Sequence, residues 1–341
     1  MITAYKPISC WLFSCAAAVF MMALIGAITR LTESGLSITE WKPVMGALPP
    51  LNDTAWAHEF SLYQATPQYK DINLGMSLES FKQIYFWEWL HRLFGRLIGV
   101  IYFIPLVRFW IKKQIPSEAK KTLLGILALG FLQGAMGWYM VKSGLVDQPA
   151  VSHYRLAAHL GLAFIIFCSL LYMGLAFCTS RDPAAEKLVP LRKLVAGTLA
   201  LAGITMMWGA LVAGLRAGLI YNNDFPFMGK YVWPTEMFRF SPPWTNFFEN
   251  HAAVQFTHRI LALLTFITIL FVVWKSSTVE CPPRLRKLFS ALLIMTCVQV
   301  GLGITTLVTH VNIVVANLHQ AGALTILAIL TALLYNLPKK A

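Results

Sequence analysis

Residues 84–110, IYFWEWLHRLFGRLIGVIYFIPLVRFW, decide the fold. The run is long enough to cross a bilayer core, which takes roughly 20 apolar residues as a helix. Yet it carries Glu88, His91, Arg92 and Arg96 near its start. Ionisable groups inside a membrane are costly and are kept for function. Comparable apolar runs lie near 8–28, 122–141, 154–178, 194–214, 252–274, 288–308 and 314–336, which gives eight spans. Composition agrees, with 57% hydrophobic and 13% charged residues against about 25% charged in soluble domains. The sequence therefore predicts an all-α integral membrane protein with eight transmembrane helices.

The net charge of +13 does not argue for nucleic acid. The basic residues sit at the ends of apolar runs, not on one face of a soluble unit. Lys6, Lys112, Lys113, Lys120, Lys121, Arg181, Lys187, Arg192, Lys193, Lys275, Arg284, Arg286, Lys287, Lys339 and Lys340 all fall on one side of an eight-span topology. Short loops dense in Lys and Arg mark the cytoplasmic face. Both termini are expected there, and the long segments 29–83 and 215–251 outside. Pro, Trp and Asn are frequent in those two segments, which suggests ordered caps.

The chain repeats itself. Glu88-Trp-Leu-His91-Arg92 returns as Gln255-Phe-Thr-His258-Arg259, and Gln133-Gly-Ala-Met-Gly137 as Gln299-Val-Gly-Leu-Gly303. His159-Leu-Gly-Leu-Ala163 is loosely matched by His319-Gln-Ala-Gly-Ala323. Matches in one order at similar offsets predict two pseudo-symmetric four-helix bundles, 1–183 and 184–341. An even number of spans per half makes the repeats parallel.

His91, His159, His258 and His319 lie in the four spans that enter from outside, a few residues into each. With a rise of about 1.5 Å per residue, the four imidazoles share one depth. A small-ion site needs three or four converging ligands with carboxylate or thiolate help. Two histidines per half suit axial ligation of a haem iron, held between facing helices of a bundle. Gly134, Gly137, Gly161, Gly301 and Gly303 would let a flat macrocycle approach the backbone. His58, His153, His251 and His310 fall in or near outer loops and are read as incidental.

The halves differ at one position. Glu88, three residues before His91 and on the same helix face, is matched by neutral Gln255. A carboxylate at that depth is suited to proton transfer, and it also stands at the right spacing to pair with Arg92. Chemistry in the first half and electron handling in the second follow as an expectation. Arg30, Arg155 and Arg216 near the outer mouths are candidates for haem propionates or for interface anchors.

Of six cysteines, Cys10, Cys15, Cys168, Cys178, Cys281 and Cys297, none forms a CxxC or CxxCH motif. Zinc and covalently attached haem are not signalled, and buried thiols packing as small hydrophobes are expected. The first apolar run is longer than a signal h-region and reads as a retained helix.

Several segments together resemble the haem A synthase family over nearly the whole chain. They are GAITRLTESGLSITEWKPVMGALPPL at 26–51, IYFWEWLHRLFGR at 84–96, GWYMVKSGL at 137–145 and YRLAAHLGLA at 154–163. The second half adds AGLRAGLIYNNDFP at 213–226, QFTHR at 255–259 and NLHQ at 317–320. The resemblance implies an oxidoreductase that converts haem O to haem A by successive hydroxylation of the ring methyl at position 8 to a formyl group. It implies haem b on His258 and His319, substrate haem between His91 and His159, and Glu88 as the catalytic carboxylate. It also implies service to cytochrome oxidase assembly, with a haem O synthase as upstream partner and a homo-oligomer as a further expectation. Segment 29–83 contains no cysteine, which resembles the cysteine-free branch of proteobacteria and mitochondria. With no presequence before the first span, a bacterial inner membrane is expected.

Two rivals fit part of this pattern. A di-haem cytochrome b passing electrons from quinol accounts for the histidines but not for the Glu88/Gln255 difference. A transporter with parallel repeats would show helix breaks near midplane, and no proline lies close to the histidines.

Overall fold

The computed structural model describes residues 5–41, 45–144, 149–178 and 188–338. Among them, eight helices are long and apolar enough to cross a membrane. In chain order the helices are α1 (Lys6–Leu31), α2 (Asp53–Gln64), α3 (Pro67–Asp71), α4 (Leu78–Ile111), α5 (Ser117–Gly144) and α6 (His153–Cys178). Then come α7 (Val189–Gly214), α8 (Asn246–Glu249), α9 (His251–Ser277), α10 (Pro283–Val308) and α11 (Ile313–Asn336). The eight long helices coincide with the eight apolar runs, and the chain is an all-α, multi-pass membrane protein.

Side-chain caps start α4, α9 and α11 ahead of their apolar stretches. Ser77 accepts the amide of Ser80 and starts α4 six residues ahead of the apolar run. Asn250 and Asn312 cap α9 and α11 in the same way, each satisfying helix-end N–H groups that would otherwise lack partners. Pro105 lies inside α4, well past His91 along the helix. Arg181, Lys187, Lys339 and Lys340, and the expected boundary between residues 183 and 184, lie outside the described residues.

The described chain divides into two compact units, Ala17–Ala163 and Met1–Ala16 with Phe164–Ala341. In the first unit the long segment between α1 and α4 is ordered by an aromatic cluster. Ile38, Tyr63, Phe81 and Tyr85 are buried, with Trp56, Phe60 and Tyr69 packed around them. Tyr63 stacks on Phe81 with centroids 5.2 Å apart, and Trp56 meets Tyr85 edge-on at 5.0 Å. These contacts hold α2 and α3 against the N-terminal end of α4.

In the second unit asparagines order the segment between α7 and α9. Asn246, fully buried, accepts from the Phe240 amide and donates to the Phe240 and Pro243 carbonyls. Asn250 donates to the Glu236 carbonyl at 2.8 Å. Asn222 donates to the carbonyls of Gly218 and Leu307. Side-chain amides thus satisfy loop backbone groups that burial removes from water.

All six cysteines are free, but the expectation of buried thiols holds only for some. Cys15 and Cys281 are buried, whereas Cys10, Cys178 and Cys297 are exposed. On a membrane helix the exposed face meets lipid, where a thiol costs as little as in a core.

Candidate functional site

Each unit brings together one of the expected histidine pairs. His91 on α4 and His159 on α6 are close enough to interact electrostatically, and so are His258 on α9 and His319 on α11. All four rings are half-buried, so each keeps an accessible edge.

Each ring also rests on a glycine of a neighbouring helix. A Cβ at Gly26 on α1 would stand 3.2 Å from His91 Nε2, and one at Gly137 on α5 the same distance from His159 Cε1. In the other unit a Cβ at Gly209 on α7 would lie 3.1 Å from His258 Cε1, and one at Gly303 on α10 2.9 Å from His319 Cε1. Any larger residue would push the ring out of place. Gly137 and Gly303 were among the glycines singled out by sequence. Gly26 and Gly209 were not, because they lie on α1 and α7, outside the segments that repeat between the halves. Gly134 and Gly301 meet nothing within 4 Å and are exposed, so they face away from the rings.

Glutamines hold two of the rings. Gln133 Nε2 lies 3.2 Å from His159 Nε2. Gln299 Nε2 lies 3.1 Å from His319 Nδ1 and donates to the His319 carbonyl at 2.9 Å. His258 Nδ1 lies 3.1 Å from the Thr205 carbonyl. A donated Nδ1–H there leaves Nε2 with its lone pair free, the outer-shell bond typical of metal-ligating histidines.

The residues present fit a haem in each unit. Among the described residues, no three His, Cys, Asp or Glu side chains gather into a cage for a small ion, whereas two facing imidazoles are what a haem iron takes. Trp208 Nε1, Arg259 Nη2, Gln255 Oε1 and Gln299 Oε1 are buried without hydrogen-bond partners in one unit, and His159 Nδ1 and Gln133 Oε1 in the other. Buried polar atoms are rarely left so, and orphaned donors beside His258 suit a ligand with an anionic edge.

Glu88 is 2% exposed and accepts from four donors. Ser37 Oγ and the Ile38 amide both reach Oε2 at 2.8 Å. Arg92 reaches Oε1 through Nε at 3.1 Å and Nη2 at 2.6 Å, and Nη2 also donates to the Ile38 carbonyl. The carboxylate therefore fastens the first outer segment to α4 one turn from His91. Gln255 does the corresponding work with opposite polarity, its Nε2 donating to the Ala217 and Ile220 carbonyls at 2.7 and 2.8 Å. Sequence exposed the Glu/Gln difference but not this shared task, because the partners lie dozens of residues away.

Of the three outer arginines, Arg155 lies over the Tyr139 ring, 4.5 Å from its centroid, and donates to its hydroxyl. Arg30 ends α1. Arg216 turns the chain after α7 with a left-handed φ of 54°.

Comparison with known proteins gives this arrangement its context. A family model described as cytochrome oxidase assembly protein matches residues 9–331. A Rhodospirillum centenum protein named Heme A synthase is 50% identical over 97% of this chain and 88% of its own length. Proteins of the same name from Nitrosospira multiformis and Parvibaculum lavamentivorans are 47% and 43% identical, over 94% and 98% of this chain and 90% and 95% of their own lengths. With matches of that identity running almost end to end, and the paired histidines inside the matched span, the chain belongs to the haem A synthase family.

Proposed function

We propose that this protein is a haem A synthase, an oxidoreductase that converts haem O to haem A for cytochrome oxidase assembly. The observation that carries the reading is the presence of two glycine-seated histidine pairs in a chain half identical to a Heme A synthase over nearly its full length. The two halves, 1–183 and 184–341, are assigned different tasks. His258 and His319 hold a resident haem b, a reading supported by the Thr205 bond to His258 and the buried unpartnered donors nearby. A haem bound there transfers electrons one at a time. His91 and His159 flank haem O, the substrate.

Turning a ring methyl into a formyl group takes two successive two-electron oxidations, each exchanging a C–H hydrogen for a hydroxyl drawn from water and releasing two protons and two electrons. The gem-diol then loses water, and the four electrons go to an external, membrane-soluble electron acceptor. Protons leave at each stage. Glu88 is assigned to accept them, a reading its hydrogen bonds support. Arg92 and the Ile38 amide are fixed donors, but the Ser37 hydroxyl can rotate away and open one lone pair of Oε2. General base catalysis of this kind contributes about 10²–10⁴ in rate.

The positive residues of the 111–121 and 275–287 loops support cytoplasmic termini, with both haem sites toward the outer side of a bacterial inner membrane. A haem O synthase is the upstream partner of choice, because haem O is too apolar to cross water freely.

The test is expression together with a haem O synthase in a bacterium that makes no haem A. Appearance of haem A in the membranes is the expected result. Accumulation of haem O with no haem A, in a host where the protein is present and pigmented, refutes the reading.

A further inference from the structure

A cavity of about 300 Å³ lies in the first unit, lined by Thr39, Trp41, Arg92, Trp138, Val141 and Lys142. Two of its lining residues neighbour the histidine site along the chain. Arg92 follows His91 on α4, and Trp138 follows Gly137, the glycine on which the His159 ring rests. The two cations are held against indoles, Arg92 5.5 Å from the Trp41 ring centroid and Lys142 5.0 Å from that of Trp138. Among the described residues that line the cavity, none is acidic. Lys142 is exposed and forms no ion pair among the described residues. Arg92 spends its charge on Glu88, so among the described lining residues Lys142 supplies the net positive charge.

We propose that this cavity receives the propionate edge of the substrate haem, with Lys142 as its carboxylate-binding residue. The proposal rests on reading His91 and His159 as the substrate site. Haem O is apolar except along the edge that bears its two carboxylates. In a membrane-embedded site that edge turns to the wet end, where ionised groups stay solvated or paired. The cavity is too small for a whole macrocycle and large enough for its edge, and the flanking indoles pack against the ring margin. A stacked ammonium keeps its N–H donors for a carboxylate.

The arrangement also bears on which carbon reacts. The ring methyl at position 8 neighbours a propionate-bearing position. Anchoring the carboxylates at the outer mouth keeps that methyl at the same edge as Glu88, which lies one turn outward of His91. Lys142 is thus a specificity-determining residue that acts through the pose of the ring.

The experiment uses purified full-length protein with its resident haem in place, titrated with haem O or with haem O dimethyl ester and followed by absorbance. Wild type should bind the free acid more tightly than the ester. Lys142→Glu should weaken the free acid about ten-fold, as loss of a charge-assisted bond does, and leave the ester unchanged. Lys142→Arg should restore the preference. An unchanged resident-haem spectrum verifies that each variant is folded. Equal affinity of wild type for acid and ester, or equal weakening of both by Lys142→Glu, overturns the assignment. If His91→Ala/His159→Ala binds added haem O as wild type does, the substrate-site reading itself fails, whatever Lys142 does.

Discussion

Glu88→Gln removes one charge and one acceptor from a carboxylate that serves four donors. A glutamine oxygen turned toward Ser37 and Ile38 keeps those two contacts at 2.8 Å, but its NH₂ then faces the Arg92 guanidinium, donor against donor. Turned the other way, it keeps Arg92 and releases the outer segment. Either way two hydrogen bonds to a charged or buried group are lost, each worth roughly 1.5–3 kcal/mol when a charge is involved. Orphaning a fully buried ion costs about 3–5 kcal/mol. Arg92 escapes the full penalty because its side chain is 11% exposed and it retains the Ile38 and Glu40 carbonyls. A destabilisation of about 2–3 kcal/mol is expected for this unit. The His258/His319 haem should be untouched. Haem A output should fall by about 10²–10⁴ if Glu88 also takes protons, with haem O or a part-oxidised haem accumulating. Ser37→Ala separates the two roles, since it loosens the tether by about 1 kcal/mol and leaves the carboxylate in place. Thermal unfolding and pigment extraction read both variants. Glu88→Gln with wild-type turnover and lowered stability would make Glu88 a fastener only; wild-type values of both would refute the whole argument about this residue.

His258→Ala or His319→Ala should abolish the low-spin spectrum of the resident haem, and survival of a full bis-histidine spectrum in either would remove the pair as ligands. Gly303→Ala sets a methyl 2.9 Å from the His319 ring, an overpacking of about 1–3 kcal/mol. It should perturb the resident haem spectrum more than Gly134→Ala, which meets open space. Single cysteines at positions 113 and 279 in a cysteine-free background should resist an impermeant thiol reagent in intact cells, and strong labelling from outside would invert the topology. Glu236 has its carboxyl held below the ordinary carboxylate range chiefly by the Tyr221 hydroxyl. Its stabilising contribution is therefore complete above that range and lost as pH falls through the lowered value. Proteolysis of the 215–250 segment should rise on acidification, and Glu236→Gln should flatten that dependence.

The span count and the four histidines were legible because both are local signals: an apolar run declares a helix, and a histidine inside one stands out. The six extra residues at the start of α4 were not, since Ser77 is one serine among many until its hydroxyl is seen on the Ser80 amide. The pairing of each histidine with a glycine seat, and the tethering of outer segments by Glu88 and Gln255, are contacts between distant parts of the chain. Repetition hinted at them: Gln133 and Gln299 marked the duplication in sequence, and both proved to touch a histidine. Arg92 shows the opposite case, where helical spacing suggested the Glu88 pair and the geometry agrees.

The most direct test of the account is mass analysis of the porphyrins extracted from protein purified after co-expression with a haem O synthase. Two haem sites with different tasks predict haem b together with haem O, haem A or the hydroxylated intermediate, and loss of only the latter group in His91→Ala. Haem b alone, in wild type and variant alike, would mean a protein that only passes electrons, and would contradict the assignment of His91, His159 and Glu88 to a substrate haem.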